Sequence, residues 1–172
     1  MNQLKKKALK LIKELDKIIP QAKIALKFSN PWELYVAVVL SARNRDDVVN
    51  KVTEKLFAKY KKFDDYLKAS YQEFAQDINQ LGLYQQKAKY ILQAAKIINS
   101  QYKKKLPDKM EDLLKLPGVG RKTANIILNY AYHKAEGIAV DTHVKRLTKL
   151  FGLTKNTKPD KIEEDLMKII PV

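Results

Sequence analysis

"LPGVGRKTANIILNYAYHKAEGIAVDTHVKRL", from Leu116 to Leu147, sets a Gly-x-Gly turn in front of a helical pattern that carries a lysine in its first turn. Pro117 to Gly120 reads as a tight turn, Arg121 to about Tyr132 as a helix, Gly137 to Val140 as extended or loop, and Asp141 as the cap of a further helix that Gly152 ends. Upstream, Pro107 and Asp108 open the short helix "DKMEDLLKL", so the turn joins two helices. Such a turn leaves backbone N–H groups at a helix N-terminus, and Gly118 and Gly120 carry no Cβ to hold a ligand away. A phosphate diester fits there, because backbone amides grip phosphate without reading sequence. Taken alone, "GVG" is explained equally by an ordinary interhelical turn that uses glycine for positive φ.

Working outward, helical spacing dominates. Leu4, Ala8, Leu11, Ile12, Leu15, Ile18 and Ile19 describe an amphipathic helix stopped by Pro20, for which a membrane-surface helix is the alternative. Asn30 as N-cap, Pro31 and Glu33 start a helix through Ser41, and its apolar residues wrap all round, which makes it central and Trp32 a core residue. Asp46 is expected to cap a third helix with the stripe Val48, Val49, Val52, Leu56, Phe57 and Tyr60, and Asp64 to open a short fourth. Ser70 and Glu73 form a capping box for a helix bearing Phe74, Ile78 and Leu81 and stopped by Gly82. Helices over about Tyr84 to Tyr102 and through Ile162, Leu166 and Ile169 complete the pattern. No strand-length alternation occurs and every glycine falls at a predicted helix boundary, so the class is all-α.

The 172 residues make about one domain, which in an all-helical chain can fold as two lobes. With 45% hydrophobic and 31% charged residues, the composition is that of a globular protein. The longest apolar run, Leu34 to Leu40, is far short of the roughly 20 residues a bilayer span needs. Lys and Arg number 34 against 19 Asp and Glu, and a net charge of +15 suits a polyanionic partner, although a lysine-rich genome produces the same excess. The absence of cysteine excludes disulfides, thiolate zinc sites and cysteine nucleophiles, and two histidines argue against a metal centre.

"LPGVGRKTA" followed by "VDTHVKRL" resembles the helix-hairpin-helix motif and following aspartate of the endonuclease III family of DNA glycosylases. "NPWELYVAVVLSARNRDDVVNKVTEKLF" and "LGLYQQKAKYILQAAKII" are similar to two further segments of that family, so the resemblance covers nearly the whole chain. It implies a helix-hairpin-helix DNA glycosylase fold with a helical barrel lobe at 21–135, the hairpin at 108–132, and a second lobe from 1–20 and 136–172 that is incomplete at its C-terminal end. The implied activity is base-excision repair, with removal of oxidised pyrimidines from duplex DNA through a lysine Schiff base and cleavage 3′ to the abasic site. Lys122 and Asp141 are the implied catalytic pair, with the lobes meeting near Asp141, and Gly118, Val119, Gly120 and Arg121 are the implied phosphate hairpin. Leu83 stands where the family has a wedge, and Arg43 and Asn44 where it fills the gap left by a flipped base, although glutamine is frequent at the position of Arg43.

The residues alone also permit plainer roles. Lys122 reads as a solvated lysine, Asp141 as an N-cap, Leu83 as a hydrophobic contact at a helix end, and His143 as structural. A protonated lysine is a poor nucleophile, and the ordinary value of about 10.4 leaves a trace of free amine at neutral pH. A helix N-terminus, Arg121 and partial burial disfavour the ammonium; a nearby carboxylate favours it but can help remove a proton. Most of the family continues into a helix and four cysteines that bind an iron–sulfur cluster, which this chain does not have the cysteines to bind. The sequence is therefore either a piece of a longer chain, which its end just after Pro171 favours, or a variant lacking the cluster, and the apolar faces of its first and last helices are expected to be exposed. No cofactor, a monomer on damaged double-stranded DNA, no membrane association and a cytoplasmic, nucleoid-associated location complete the expectation. A mismatch-specific monofunctional glycosylase and a non-catalytic helix-hairpin-helix DNA-binding module are the alternatives.

Overall fold

The computed structural model describes residues 3–171, and among them every regular element is an α-helix. In chain order these are α1 (Gln3–Ile18), α2 (Pro31–Ser41), α3 (Asp46–Lys59), α4 (Phe63–Lys68), α5 (Tyr71–Asp77), α6 (Tyr84–Gln101), α7 (Met110–Leu113), α8 (Arg121–Tyr132), α9 (Thr142–Leu150) and α10 (Pro159–Ile169). No helix among the described residues is long and apolar enough to cross a membrane. The chain divides into two compact units, one of residues 24–133 and one of residues 1–23 with 134–172.

In the 24–133 unit α2 is central, as its all-round apolar pattern predicts. Leu34 to Leu40 are all buried, and α2 packs against α3, α6 and α8. Asn30 accepts from the Glu33 N–H at 3.0 Å, while Glu33 reaches back to the Ser29 N–H at 2.7 Å, closing the N-terminus from both sides. Trp32 stacks on Tyr35 with ring centroids 5.1 Å apart and meets Phe63 and Tyr66 edge-on, so it is a core residue.

Several helix starts differ from the sequence expectation. Asp46 is the first residue of α3, and Arg45 holds the cap position without a side-chain cap bond. For α4 the capping carboxylate belongs to Asp65, which accepts from the Lys62 N–H at 2.9 Å, and Asp64 instead pairs with Lys104 at 2.6 Å. Ser70 caps α5 by accepting from the Glu73 N–H, but the Glu73 carboxylate pairs with Lys59 at 2.8 Å. The α-helical part of α5 also ends at Asp77, before Gly82. Beyond it the Ile78 N–H bonds Ala75 O and the Leu81 N–H bonds Ile78 O, and this tighter winding sets residues three apart on one side. Both Ile78 and Leu81 enter the core that way. Competition for Asp64 and Glu73 by lysines distant in sequence is what local spacing does not contain.

The hairpin is anchored from below. Tyr35 is fully buried, and burial raises its hydroxyl well above the ordinary tyrosine value, so it stays a donor and bonds Pro117 O at 2.7 Å. Tyr35→Phe is expected to cost about 0.5–1.5 kcal/mol in urea unfolding, the net worth of one hydrogen bond. A loss several times larger would mean the ring itself had repacked.

The other unit has its own core. Ala8 of α1, Val140, Leu153 and Ile162, Leu166 and Ile169 of α10 are buried together, with Leu4, Leu11, Ile138 and Val144 packed around them. The apolar face of α10 is thus covered, contrary to expectation, because α1 packs directly on it. Among the described residues of this unit, the exposed large hydrophobics are Leu15, Ile18 and Ile19 at the end of α1 and Leu147 and Leu150 of α9.

Candidate active site

Gly118 makes the hairpin turn possible. Its φ is +79°, and a Cβ there would sit 3.0 Å from Tyr90 Cδ2 and 3.4 Å from Val39 Cγ2, so both the backbone angle and the packing demand glycine. The Val119 N–H closes the turn on Leu116 O at 3.2 Å, and Val119 is half-buried against the core. The preceding helix is shorter than expected: α7 spans only Met110–Leu113, and turns carry the chain from there to Pro117.

Gly120 differs from Gly118. It is the N-cap of α8 in extended geometry, φ −99° and ψ 177°, and a Cβ there would meet nothing within 4 Å. As N-cap, Gly120 has no side chain to offer α8, and an anion can approach the amides of the helix start. Gly118→Ala is therefore expected to lose about 1–3 kcal/mol of stability from the left-handed backbone alone. Gly120→Ala should lose less, the roughly 0.5–1 kcal/mol by which alanine is the poorer N-cap, and should bind duplex DNA more weakly, since its methyl fills open space before the first turn of α8. Urea titration and anisotropy binding at fixed salt separate the two, and equal stability losses would contradict this account of the turn.

Lys122, second residue of α8, is exposed, and Arg121 beside it is exposed too. Partial burial, one of the influences that would disfavour the Lys122 ammonium, is thus absent from this structure. Asp141 belongs to the other unit. It is half-buried, and its Oδ1 accepts from the Val144 N–H at 2.8 Å as the N-cap of α9. Buried Val140 just before it and Val144 after it fix the cap to the core of its unit, leaving Oδ2 as the second carboxylate oxygen. His143 is exposed on the first turn of α9, so no burial supports a structural role for it.

Arg43 and Leu83 share a feature invisible in the sequence. Both are non-glycine residues in left-handed backbone, at φ 58° and φ 60° respectively, and both are exposed. Such a conformation costs a non-glycine residue about 1–2 kcal/mol. Leu83 is 58% exposed and precedes α6, so it is not a buried contact at a helix end. Asn44 does not project outward. Its Oδ1 accepts from the Gly82 N–H at 2.9 Å and its Nδ2 donates to Leu40 O and Ala42 O at 2.9 and 3.0 Å, so its amide is occupied by backbone.

Lys87 was not singled out by sequence reasoning. It is buried, and its Nζ donates to Leu40 O and Ala42 O at 2.7 Å each. Burial lowers its affinity for a proton to a value of about 8, while the carbonyl end of α2 favours the cation. One signal was available: Lys87 falls in helical register with Ile91, Ala95 and Ile98, the buried stripe of α6.

A cavity of about 670 Å³ in the 24–133 unit is lined by Trp32, Lys62, Tyr66, Tyr132 and neighbours, and includes none of the candidate residues. It lies by the start of α2 and the end of α8, whereas the candidates of this unit stand at the end of α2 and the starts of α6 and α8. For an iron–sulfur cluster the residues do not fit: the 172 residues contain no cysteine, and no group of three His, Asp or Glu gathers among the described ones.

The sequence pattern of the HhH-GPD superfamily of base excision DNA repair proteins matches residues 36–172. Endonuclease III of Synechocystis is 43% identical over 171 residues, covering 99% of this chain and 78% of that protein. Endonuclease III of Bacillus subtilis is 45% identical over 161 residues, covering 91% of this chain and 73% of that protein. A solved structure of a trapped endonuclease III–DNA covalent intermediate superposes with a TM-score of 0.93 at 41% identity, over 99% of this chain and 80% of that one.

Proposed function

The chain belongs to the HhH-GPD superfamily of base excision DNA repair proteins, and from that premise we propose that it works as a DNA glycosylase and abasic-site lyase through Lys122 and Asp141. It is an enzyme of the endonuclease III type that acts on DNA. The observation that carries the residue assignment is the exposed Lys122, held two residues beyond a glycine turn whose last residue, Gly120, is the N-cap of α8. That a relative was trapped covalently on DNA fits a nucleophile at this place.

The proposed chemistry balances with an amine, a carboxylate and water, and takes no cofactor. The free amine of Lys122 attacks C1′ of the target deoxyribose; the C1′–base bond breaks and the base leaves with the bonding pair, gaining a proton. Asp141 offsets the positive charge that builds on the sugar as the base departs. The nitrogen lone pair of the C1′ adduct then forms the C1′=N bond as the C1′–O4′ bond breaks, its pair leaving on O4′, which takes a proton from water; the resulting iminium acidifies the C2′ proton. Its removal places the C2′–H electron pair into a C2′–C3′ double bond, and the 3′ phosphate departs with the C3′–O pair. Water then hydrolyses the imine and frees Lys122. The same resemblance supports oxidised pyrimidines in duplex DNA as substrates, Gly118 to Arg121 as the phosphate grip, and Leu83 and Arg43 as the side chains that enter the helix when the target base turns out. It also supports action as a monomer on the nucleoid in the cytoplasm. Borohydride reduction with abasic-site duplex tests the proposal: a covalent adduct is expected from the parent chain, and its absence with DNA still bound would leave only a binding module.

A further inference from the structure

We propose that Asn44 and Lys87 are positioning residues that fasten the turn carrying Arg43 to the turn carrying Leu83, so that the two side chains meet DNA as one preformed element. The inference rests on the reading of Arg43 and Leu83 as the residues that enter the duplex, and adds what holds them.

The two turns are almost forty residues apart in sequence, and direct ties join them. The Gly82 N–H donates to Asn44 Oδ1 at 2.9 Å. Lys87 spans both sides by itself: its backbone N–H donates to Leu83 O at 3.1 Å, and its Nζ donates to Leu40 O and Ala42 O. Asn44 Nδ2 donates to the same two carbonyls, so the chain on either side of Ser41 is held by both residues. Arg43 follows directly, and the Asn44 N–H closes its turn on Ser41 O at 2.9 Å.

A purely structural helix end does not account for what these bonds hold. Left-handed backbone at a leucine is unfavourable and persists only where the surroundings over-determine it. Leu83 returns little of that cost to the chain's own core, because its side chain is mainly exposed. Arg43 is in the same position, exposed and at φ 58°. Two exposed side chains with unfavourable backbones, tied by a shared amide and a shared buried ammonium, are what preorganisation for an external partner requires. The hairpin rests on the same supports, since Gly118 packs on Val39 and Tyr90, each next to or one turn from Leu40 and Lys87.

The test is a double-mutant cycle of Asn44→Ala with Leu83→Gly on a duplex containing thymine glycol, read by single-turnover base release at saturating protein. Alongside it, 2-aminopurine fluorescence next to the lesion reports unstacking, and hydrogen exchange reports the Gly82 amide. We expect Asn44→Ala to expose the Gly82 amide to exchange and to slow base release roughly tenfold with duplex affinity unchanged; the double variant should be no slower than Leu83→Gly alone. Asn44→Asp keeps the acceptor for the Gly82 N–H but loses both donations to Leu40 O and Ala42 O, so it should recover only part of the rate while still protecting the Gly82 amide; it also serves if Asn44→Ala does not fold. Multiplying effects in the double variant, or normal base release despite an exchanging Gly82 amide, overturn the proposal. A different pattern marks failure of the underlying reading: Leu83→Gly would then release base at the parent rate while cleavage still depended on Lys122, and the proposal would fall with it.

Discussion

Lys122→Ala should form no covalent adduct with abasic-site duplex under borohydride and should cut the strand at least roughly 10³-fold more slowly than the parent, as expected when a nucleophile acting as part of a unit is removed. Because Lys122 is exposed on the first turn of α8, the fold should be indifferent: an exposed substitution away from caps and cores moves stability by about 0.5 kcal/mol or less. Loss of chemistry therefore cannot be charged to unfolding. Lys122→Arg sharpens the comparison, since arginine keeps the positive charge next to the phosphates but remains protonated and forms no imine. DNA affinity should survive in Lys122→Arg while trapping vanishes. Undiminished trapping in both variants would show that another amine is the nucleophile and that the role assigned to Lys122 is wrong.

Asp141→Asn is the second large expected effect, and it separates the observed cap from the catalytic role proposed for Asp141. As an N-cap, asparagine is about as good as aspartate, so the bond to the Val144 N–H is retained and the melting temperature should hardly change. As a charge facing a developing cation, asparagine supplies nothing, and base release should fall by roughly 10²–10³, the scale of removing one preorganised electrostatic group. Asp141→Ala should lose the same activity and in addition about 1 kcal/mol of stability with the cap. Strand cleavage at a preformed abasic site should suffer less than base release in Asp141→Asn, because no base has to leave. Base release unaffected by either would leave Asp141 as a cap only, whereas equal melting losses in Asp141→Asn and Asp141→Ala would contradict the capping account.

Much of the helical order was legible because it is written locally. The all-round apolar run of α2, Asn30 and Asp141 as caps, and the hairpin glycines each act within a few residues, and the side chains obey rules that hold in any context. A distant cation took two of the carboxylates from their local roles: Lys104 holds Asp64 while Asp65 caps α4, and Lys59 holds Glu73, whereas Asp46 simply falls one residue inside α3. The early end of α5 has the same character, since tighter winding there serves the burial of Ile78 and Leu81.

The candidate site divides along the same line. Sequence by itself determined the helical class, the Gly118 to Gly120 turn, the amine two residues beyond it and the carboxylate that caps α9, since each depends on the intrinsic conformational or chemical preference of a residue and its immediate neighbours. Tertiary structure alone decided that Asn44 turns inward, that Arg43 and Leu83 are held in left-handed backbone, and that Lys87 is buried. A lysine in a basic chain reads as solvated until two carbonyls from another helix are placed at 2.7 Å from it. Those bonds join residues more than forty positions apart, and only packing of α2 against α6 brings them within reach.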